Sequence, residues 1–227
     1  MVLSAVLVVV LIAWNNVLVH RFPGQPGSYV PVNLLAAGAL LVGVRALGWS
    51  WAELGRARSA LPAGLRWGGA CAAVVAAGYA VAVAVPASRE ALRGGRDAAG
   101  STADVLDQVL VRIPLGTVVW EEIAFRGVLL AVLLRWLRPA VAVGVSAVVF
   151  GLWHIRPALG GLPVDGVADG AAGQGLSVVL TCTGTAAAGV LLGWLRLRSG
   201  SILAPALLHL STNAGGTVAA VAAYRWG

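Results

Sequence analysis

Long apolar runs separated by short polar breaks repeat along the whole chain. The first, residues 2–19, closes at Asn15-Asn16 or at His20-Arg21, and the turn-rich Pro23-Gly24-Gln25-Pro26-Gly27 follows. It lacks a basic leader and an Ala-x-Ala-like cleavage site, so it reads as a retained spanning helix. A second run covers about residues 31–47 and a third residues 65–85. The fourth, 109–134, carries Pro114 near its beginning as a kink and ends at Arg135 to Arg138 before Pro139. A fifth, 140–154, measures only about 22 Å at 1.5 Å per residue and stops at Arg156-Pro157. The sixth and seventh are 176–195 and 202–224, the sixth with a Gly189-x-x-x-Gly193 face suited to close helix packing. Runs of about 20 apolar residues match a hydrocarbon core roughly 30 Å thick. The pattern therefore predicts an all-α, polytopic transmembrane helical bundle of about seven spans.

The breaks differ in kind. Residues 49–58 carry two tryptophans and alternating charges, which fits an interfacial segment at headgroup level after the second span. Residues 88–107 carry Arg, Asp, Glu, Gly and Ser and read as a segment in water, and 159–175 reads as a Gly/Asp-rich loop. No long linker intervenes and no internal repeat is visible, so the 227 residues read as one integral-membrane domain.

Composition sharpens the class. The chain is 59% apolar and only 11% charged, with a mean hydropathy of +0.87, outside the range of soluble domains. Its net charge of +7 calls for no nucleic acid. All sixteen basic residues are arginines, mostly at the ends of apolar runs, where membrane lipid headgroups account for them. Absence of lysine alongside abundant Ala, Gly and Val points to a bacterial cell membrane. Cys71 and Cys182 lie in separate runs without CxxC spacing and read as small core residues.

Against this background, Glu121, Glu122 and Arg126 stand out inside the fourth run. Ionisable groups at such depth are costly and by default face a bundle interior or a watery cavity. At 100° per residue Glu122 and Arg126 lie about 40° apart on the helix and form a natural pair, while Glu121 lies about 140° from the arginine. Glu121 is thus the better candidate general base. The bland alternative is that both acids only pair with arginines of other helices.

Two histidines fall in other runs, each with a neighbour at helical spacing: Phe150 with His154, and His209 with Asn213. His20 sits at a loop and carries no such signal. Buried imidazoles and amides need partners that lipid does not supply. Together the set has the parts to activate water with Glu121 and one histidine, and to stabilise an oxyanion with the other histidine and Asn213. Neither a Gly-x-Ser-x-Gly elbow nor a His-Glu-x-x-His motif occurs. Glu121, His154 and His209 also have the residue types for a three-ligand zinc site, which stays open as the lesser alternative.

Glu121-Glu122-x-x-x-Arg126, Phe150-x-x-x-His154 and His209-x-x-x-Asn213, in that order, resemble the three motifs of the CAAX prenyl protease and bacteriocin-processing (CPBP, or Abi) family. The flanks Phe125-Arg126-Gly127-Val128-Leu129 and Gly200-Ser201-Ile202 agree, and the protease-like core would cover about 109–224. The resemblance implies an intramembrane glutamate endopeptidase acting on a membrane-associated protein or peptide. Glu121 and His154 would activate water, His209 and Asn213 would hold the oxyanion, Glu122 and Arg126 would support them, and Phe150 would shape the pocket. No metal is expected in the hydrolytic step. The competing reading is a non-catalytic scaffold or immunity protein that binds a peptide or partner in the same cavity. A transporter with a Glu/His proton relay would call for inverted repeats.

Overall fold

Each of the seven apolar runs forms a helix in the computed structural model, which describes residues 2–93, 101–160 and 170–226. Among these residues there is no strand. Helix α1 is Val2–Arg21, α2 Tyr29–Ala46, α3 Leu61–Ala84 and α4 the short Pro86–Arg93. The long central helix α5 covers 102–134, α6 is Pro139–Trp153, α7 Ile155–Gly160, α8 Ala171–Ser199 and α9 Leu203–Arg225. Five stretches are long and apolar enough to cross a membrane: α1, α2, α3, α6 with α7, and α8. This is a multi-pass membrane protein. The polar residues of interest concentrate on the two remaining long helices, α5 and α9.

Helix α5 begins before the apolar run does. Ser101 and Asp104 form a reciprocal capping box, Ser101 Oγ accepting from Asp104 N and the Asp104 carboxylate accepting from Ser101 N, so that 102–107 is helical rather than loop. Pro86–Arg93 is likewise helical, while 94–100, within the stretch read as lying in water, and 161–169, within the stretch read as loop, lie outside the described residues. Pro114 does not break α5. The helix widens instead, with the Val119 amide donating to Pro114 O and the Leu130 amide to Phe125 O, five residues back. A wider turn absorbs both the missing proline N–H and the ring's crowding of the preceding turn.

Residues 120–133 are buried without interruption, which makes α5 the axis of the bundle. Trp14 of α1 packs on Trp120 at 5.4 Å between centroids, and Phe125 meets Phe150 of α6 edge-on at 5.0 Å. From α2, Asn33 Nδ2 donates to Gly116 O at 2.9 Å. Helix α3 lies against α9, where Tyr79 donates to Thr212 O at 3.0 Å.

The Gly189 and Gly193 face receives α6 as the spacing implied. A Cβ at Gly189 would come within 3.0 Å of Ala147 Cα, and one at Gly193 within 3.0 Å of Val143. From the α6 side, a Cβ at Gly151 would lie 2.6 Å from Cys182 O and 3.0 Å from Ala186 Cβ. Gly151→Ala therefore forces two backbones apart and is expected to lower stability by about 1–3 kcal/mol in thermal unfolding of the detergent-solubilised protein. Gly144→Ala on the same helix, with nothing within 4 Å of the added carbon, is the control and should be neutral or mildly stabilising. Equal losses at both positions would refute the close contact.

Three sequence expectations need correction. The fifth span does not end at Arg156-Pro157, because after a break at His154 the chain continues as α7. Residues 49–57 do not simply lie on a surface. Trp51 is exposed, but Trp49 and Leu54 are buried and the segment is tied into the bundle. Ile202 N donates to Gly55 O at 2.9 Å and Arg196 Nη2 to Glu53 O at 2.8 Å. The Glu53 side chain pairs with Arg135 at 2.9 Å. The Ser50 amide and hydroxyl, then Arg135, hold its carboxyl down at about 2, so it stays ionised throughout the neutral range. Both cysteines are free thiols of intermediate exposure rather than core residues, Cys71 packing at the edge of a small cluster around Leu195.

Candidate active site

Glu121 and Glu122 are adjacent on α5 and both are buried, yet they meet different surroundings. Glu122 Oε1 accepts from Arg126 Nη1 at 3.1 Å and from His209 Nδ1 at 2.9 Å. The Glu122–Arg126 pairing expected from helical spacing is therefore present and fully enclosed. The guanidinium carbon also sits 4.1 Å from the centre of the Phe150 ring, so the cation is held by a carboxylate on one flank and an aromatic face on the other.

Glu121 has no arginine partner among the described residues. Its Oε1 accepts from Trp153 Nε1 at 3.0 Å, and its Oε2 lies 3.8 Å from His209 Nε2, beyond hydrogen-bond reach. That oxygen is buried without a hydrogen-bond donor among the described residues, as is Glu122 Oε2. Bare carboxylate oxygens in an interior call for a donor from outside the chain, in the first instance water.

His154 ends α6. Its Nδ1 donates to Phe150 O at 2.7 Å; a carbonyl only accepts, so the neutral ring carries its proton there and leaves Nε2 with a free lone pair. Phe150 stands between the two histidines, with ring centroids 4.7 Å from His154 and 6.2 Å from His209. Phe150 thus touches Arg126, His154 and His209, and His209 in turn adjoins both Glu121 and Glu122. Asn213 lies one turn beyond His209 on α9; its side chain is exposed and makes no hydrogen bond among the described residues.

Two groups of residues escaped the sequence reading. Trp153 orients Glu121, its Nε1 donating to the carboxylate as a buried indole N–H usually does to some acceptor. Asn15 and Asn16 of α1 were read only as the end of a helix. They cross to the break after α6 instead, Asn15 Nδ2 donating to Trp153 O at 3.0 Å and Asn16 Nδ2 to Leu152 O at 2.9 Å. Asn16 Oδ1 also accepts from Arg156 N at 2.8 Å. The pair closes the backbone groups that the break would otherwise leave open. No short motif announces a contact made across so much intervening chain.

Three His, Cys, Asp or Glu side chains do not converge as a metal-binding set among the described residues. Glu121, His154 and His209 are instead each engaged by a different partner. Residues 108–215 match the family described as type II CAAX prenyl endopeptidase Rce1-like. No curated protein and no solved structure matches the chain.

Proposed function

We propose that the chain, whose residues 108–215 match the type II CAAX prenyl endopeptidase family, is an intramembrane endopeptidase using Glu121 and His154 to activate water. The observation that carries this reading is the buried Glu121 carboxylate, oriented by Trp153 and bare at Oε2. Glu121 takes a proton from water as the water oxygen bonds to the scissile carbonyl carbon. His154, with Nε2 free, steers the same water.

The carbonyl oxygen becomes an oxyanion and needs donors. His209 donates from Nδ1 to Glu122, so donating from Nε2 as well requires the imidazolium. That form also balances the enclosed cluster, with two carboxylates against one guanidinium and one imidazolium. The Asn213 amide is the second donor. Collapse of the tetrahedral intermediate breaks the C–N bond, and the proton held by Glu121 passes to the departing amine. Substrate is a peptide or protein at the membrane. Arg126 acts through Glu122 and is a positioning residue.

The direct test is turnover of membrane-associated peptides by the purified protein. In this mechanism no metal takes part, so activity is expected to survive exhaustive dialysis against a chelator. Loss of activity on chelation with return on adding zinc, together with stoichiometric zinc bound at about 2.0–2.2 Å from nitrogen and oxygen, would replace this assignment with a zinc one. A folded protein that binds peptides without cleaving any would favour the scaffold or immunity reading.

A further inference from the structure

Helix α3 stops just before Pro86, which has no N–H to carry the helix on. Two side chains of α4 fold back over the carbonyls this leaves open. Ser88 Oγ donates to Ala82 O at 2.9 Å, Arg89 Nε to Val83 O at 2.8 Å and Arg89 Nη2 to Ala84 O at 3.1 Å. These bonds fix the half-buried Arg89 guanidinium at the end of α3, 5.6 Å from the ring centre of the exposed Trp226. Its Nη1 has no partner among the described residues, and the neighbouring carboxylate, Glu90, is taken by Arg93 at 2.7 Å. Arg89 is thus a positioned cation with donors left for an anion.

Val83, Ala84 and Trp226 also line one end of an apolar trough of about 680 Å³ between α3 and α9. Along α3 its wall is Ala72, Ala76, Ala80 and Ala84, each one turn from the next. The polar groups on its walls are already satisfied, the Tyr79 hydroxyl donating to Thr212 O at 3.0 Å and Ser211 Oγ to Leu208 O at 2.8 Å. Water would find no partners there. Ala76, Ala80 and Val218 are exposed, so the trough opens on the outer surface of the bundle, where the spanning helix α3 meets hydrocarbon. From Ala72 to Ala84 it runs about 18 Å at 1.5 Å per residue. That is close to one leaflet, half of a hydrocarbon core roughly 30 Å thick. His209 and Asn213 each lie about 160° from Ser211 around α9, so the trough faces away from the candidate active site.

A cation at one end of a leaflet-long hydrocarbon slot has the layout of a single phospholipid, with a charged headgroup above an acyl chain. With Glu90 engaged, no carboxylate beside Arg89 is free to meet the ammonium of a zwitterionic headgroup, which favours a headgroup of net negative charge. A second copy of the chain, packed here across a two-fold axis along the membrane normal, would bring two Arg89 cations to the same end. We propose that the trough between α3 and α9 binds one anionic phospholipid, its phosphate on Arg89, its glycerol region against Trp226 and an acyl chain along residues 72–84. The lipid fastens α3 to the helix that carries His209 and Asn213, and the proposal does not depend on the peptidase reading.

The test uses the full chain, purified in detergent and stripped of lipid, with phosphatidylglycerol, phosphatidylcholine of the same acyl chains, and glycerol 3-phosphate. Native mass spectrometry is expected to show one phosphatidylglycerol retained per chain, bound about fivefold more tightly than phosphatidylcholine. Phosphatidylglycerol should also raise Tm, as a ligand of the folded state does, while glycerol 3-phosphate, having no chain, leaves it unchanged. Arg89→Gln should bring the two lipids to equal affinity, and Arg89→Lys should keep the preference. Ala76→Leu combined with Ala80→Leu fills the trough from two exposed positions without touching the cation, and should abolish retention of both lipids. Equal retention of the two lipids by the parent protein, a preference that persists in Arg89→Gln, or retention unchanged in the filled trough overturns the proposal. So does a Tm rise with glycerol 3-phosphate as large as with lipid, or a lipid-free parent dimer that the filled trough turns into a monomer.

Discussion

Glu121→Gln is expected to abolish peptide hydrolysis while the protein stays folded and membrane-inserted. The substitution is nearly isosteric, and the amide oxygen still accepts from Trp153 Nε1, so the contacts that hold the side chain persist. What disappears is the proton acceptor. General-base groups contribute about 10²- to 10⁴-fold, and kcat is expected to fall by at least that much, because the neighbouring Glu122 carboxylate already carries Arg126 and His209 on Oε1 and is a poorer proton acceptor. His154→Ala should act in the same direction through loss of Nε2. Turnover and thermal unfolding measured on the same preparations decide the matter: near-normal turnover in Glu121→Gln would remove it from the role of base, and an equally unfolded protein would make the position structural.

The second large effect concerns stability. Removing either member of the enclosed Glu122–Arg126 pair leaves an uncompensated charge in a site with almost no solvent, at a cost of about 3–5 kcal/mol. Arg126→Ala and Glu122→Ala should therefore behave alike in unfolding experiments, and the double substitution should be milder than either alone. Strictly additive losses would argue that the two residues act separately. Arg126→Lys is expected to recover little, because an ammonium does not reproduce the flat guanidinium stacked on Phe150. His209→Ala belongs to the same cycle, as it takes one of the two donors from Glu122 Oε1.

Much of this arrangement was legible in the sequence because the membrane restricts what a polar residue can mean. Two acids, an arginine and two histidines in apolar runs have few purposes, and helical spacing alone paired Glu122 with Arg126. The helices were legible for the same reason, each apolar run being long enough to form one. Their ends were not. The start of α5 depends on the Ser101–Asp104 capping box, a local hydrogen-bond arrangement inside a stretch whose composition suggests loop. The continuation past His154 depends on Asn15 and Asn16, which lie on another helix. Residues 49–57 were misread because two tryptophans and alternating charges dominate the pattern, whereas Leu54 and the Gly55 carbonyl decide where the segment docks.

The asparagine clamp also bears on how the molecule divides. Sequence similarity to the protease family begins at residue 108, and that edge invites treating everything upstream as an accessory that a shorter gene product could omit. Hydrogen bonding draws the edge elsewhere. A fragment starting at residue 108 would strip the partners from the carbonyls of Leu152 and Trp153 and from the Arg156 amide, beside the histidine proposed to steer water and the tryptophan that holds Glu121. It would also uncover Gly116 O, now capped by Asn33. The smallest piece that keeps the site intact therefore includes the first two helices, and the family boundary marks where residue identity is recognisable, not where the machine can be cut.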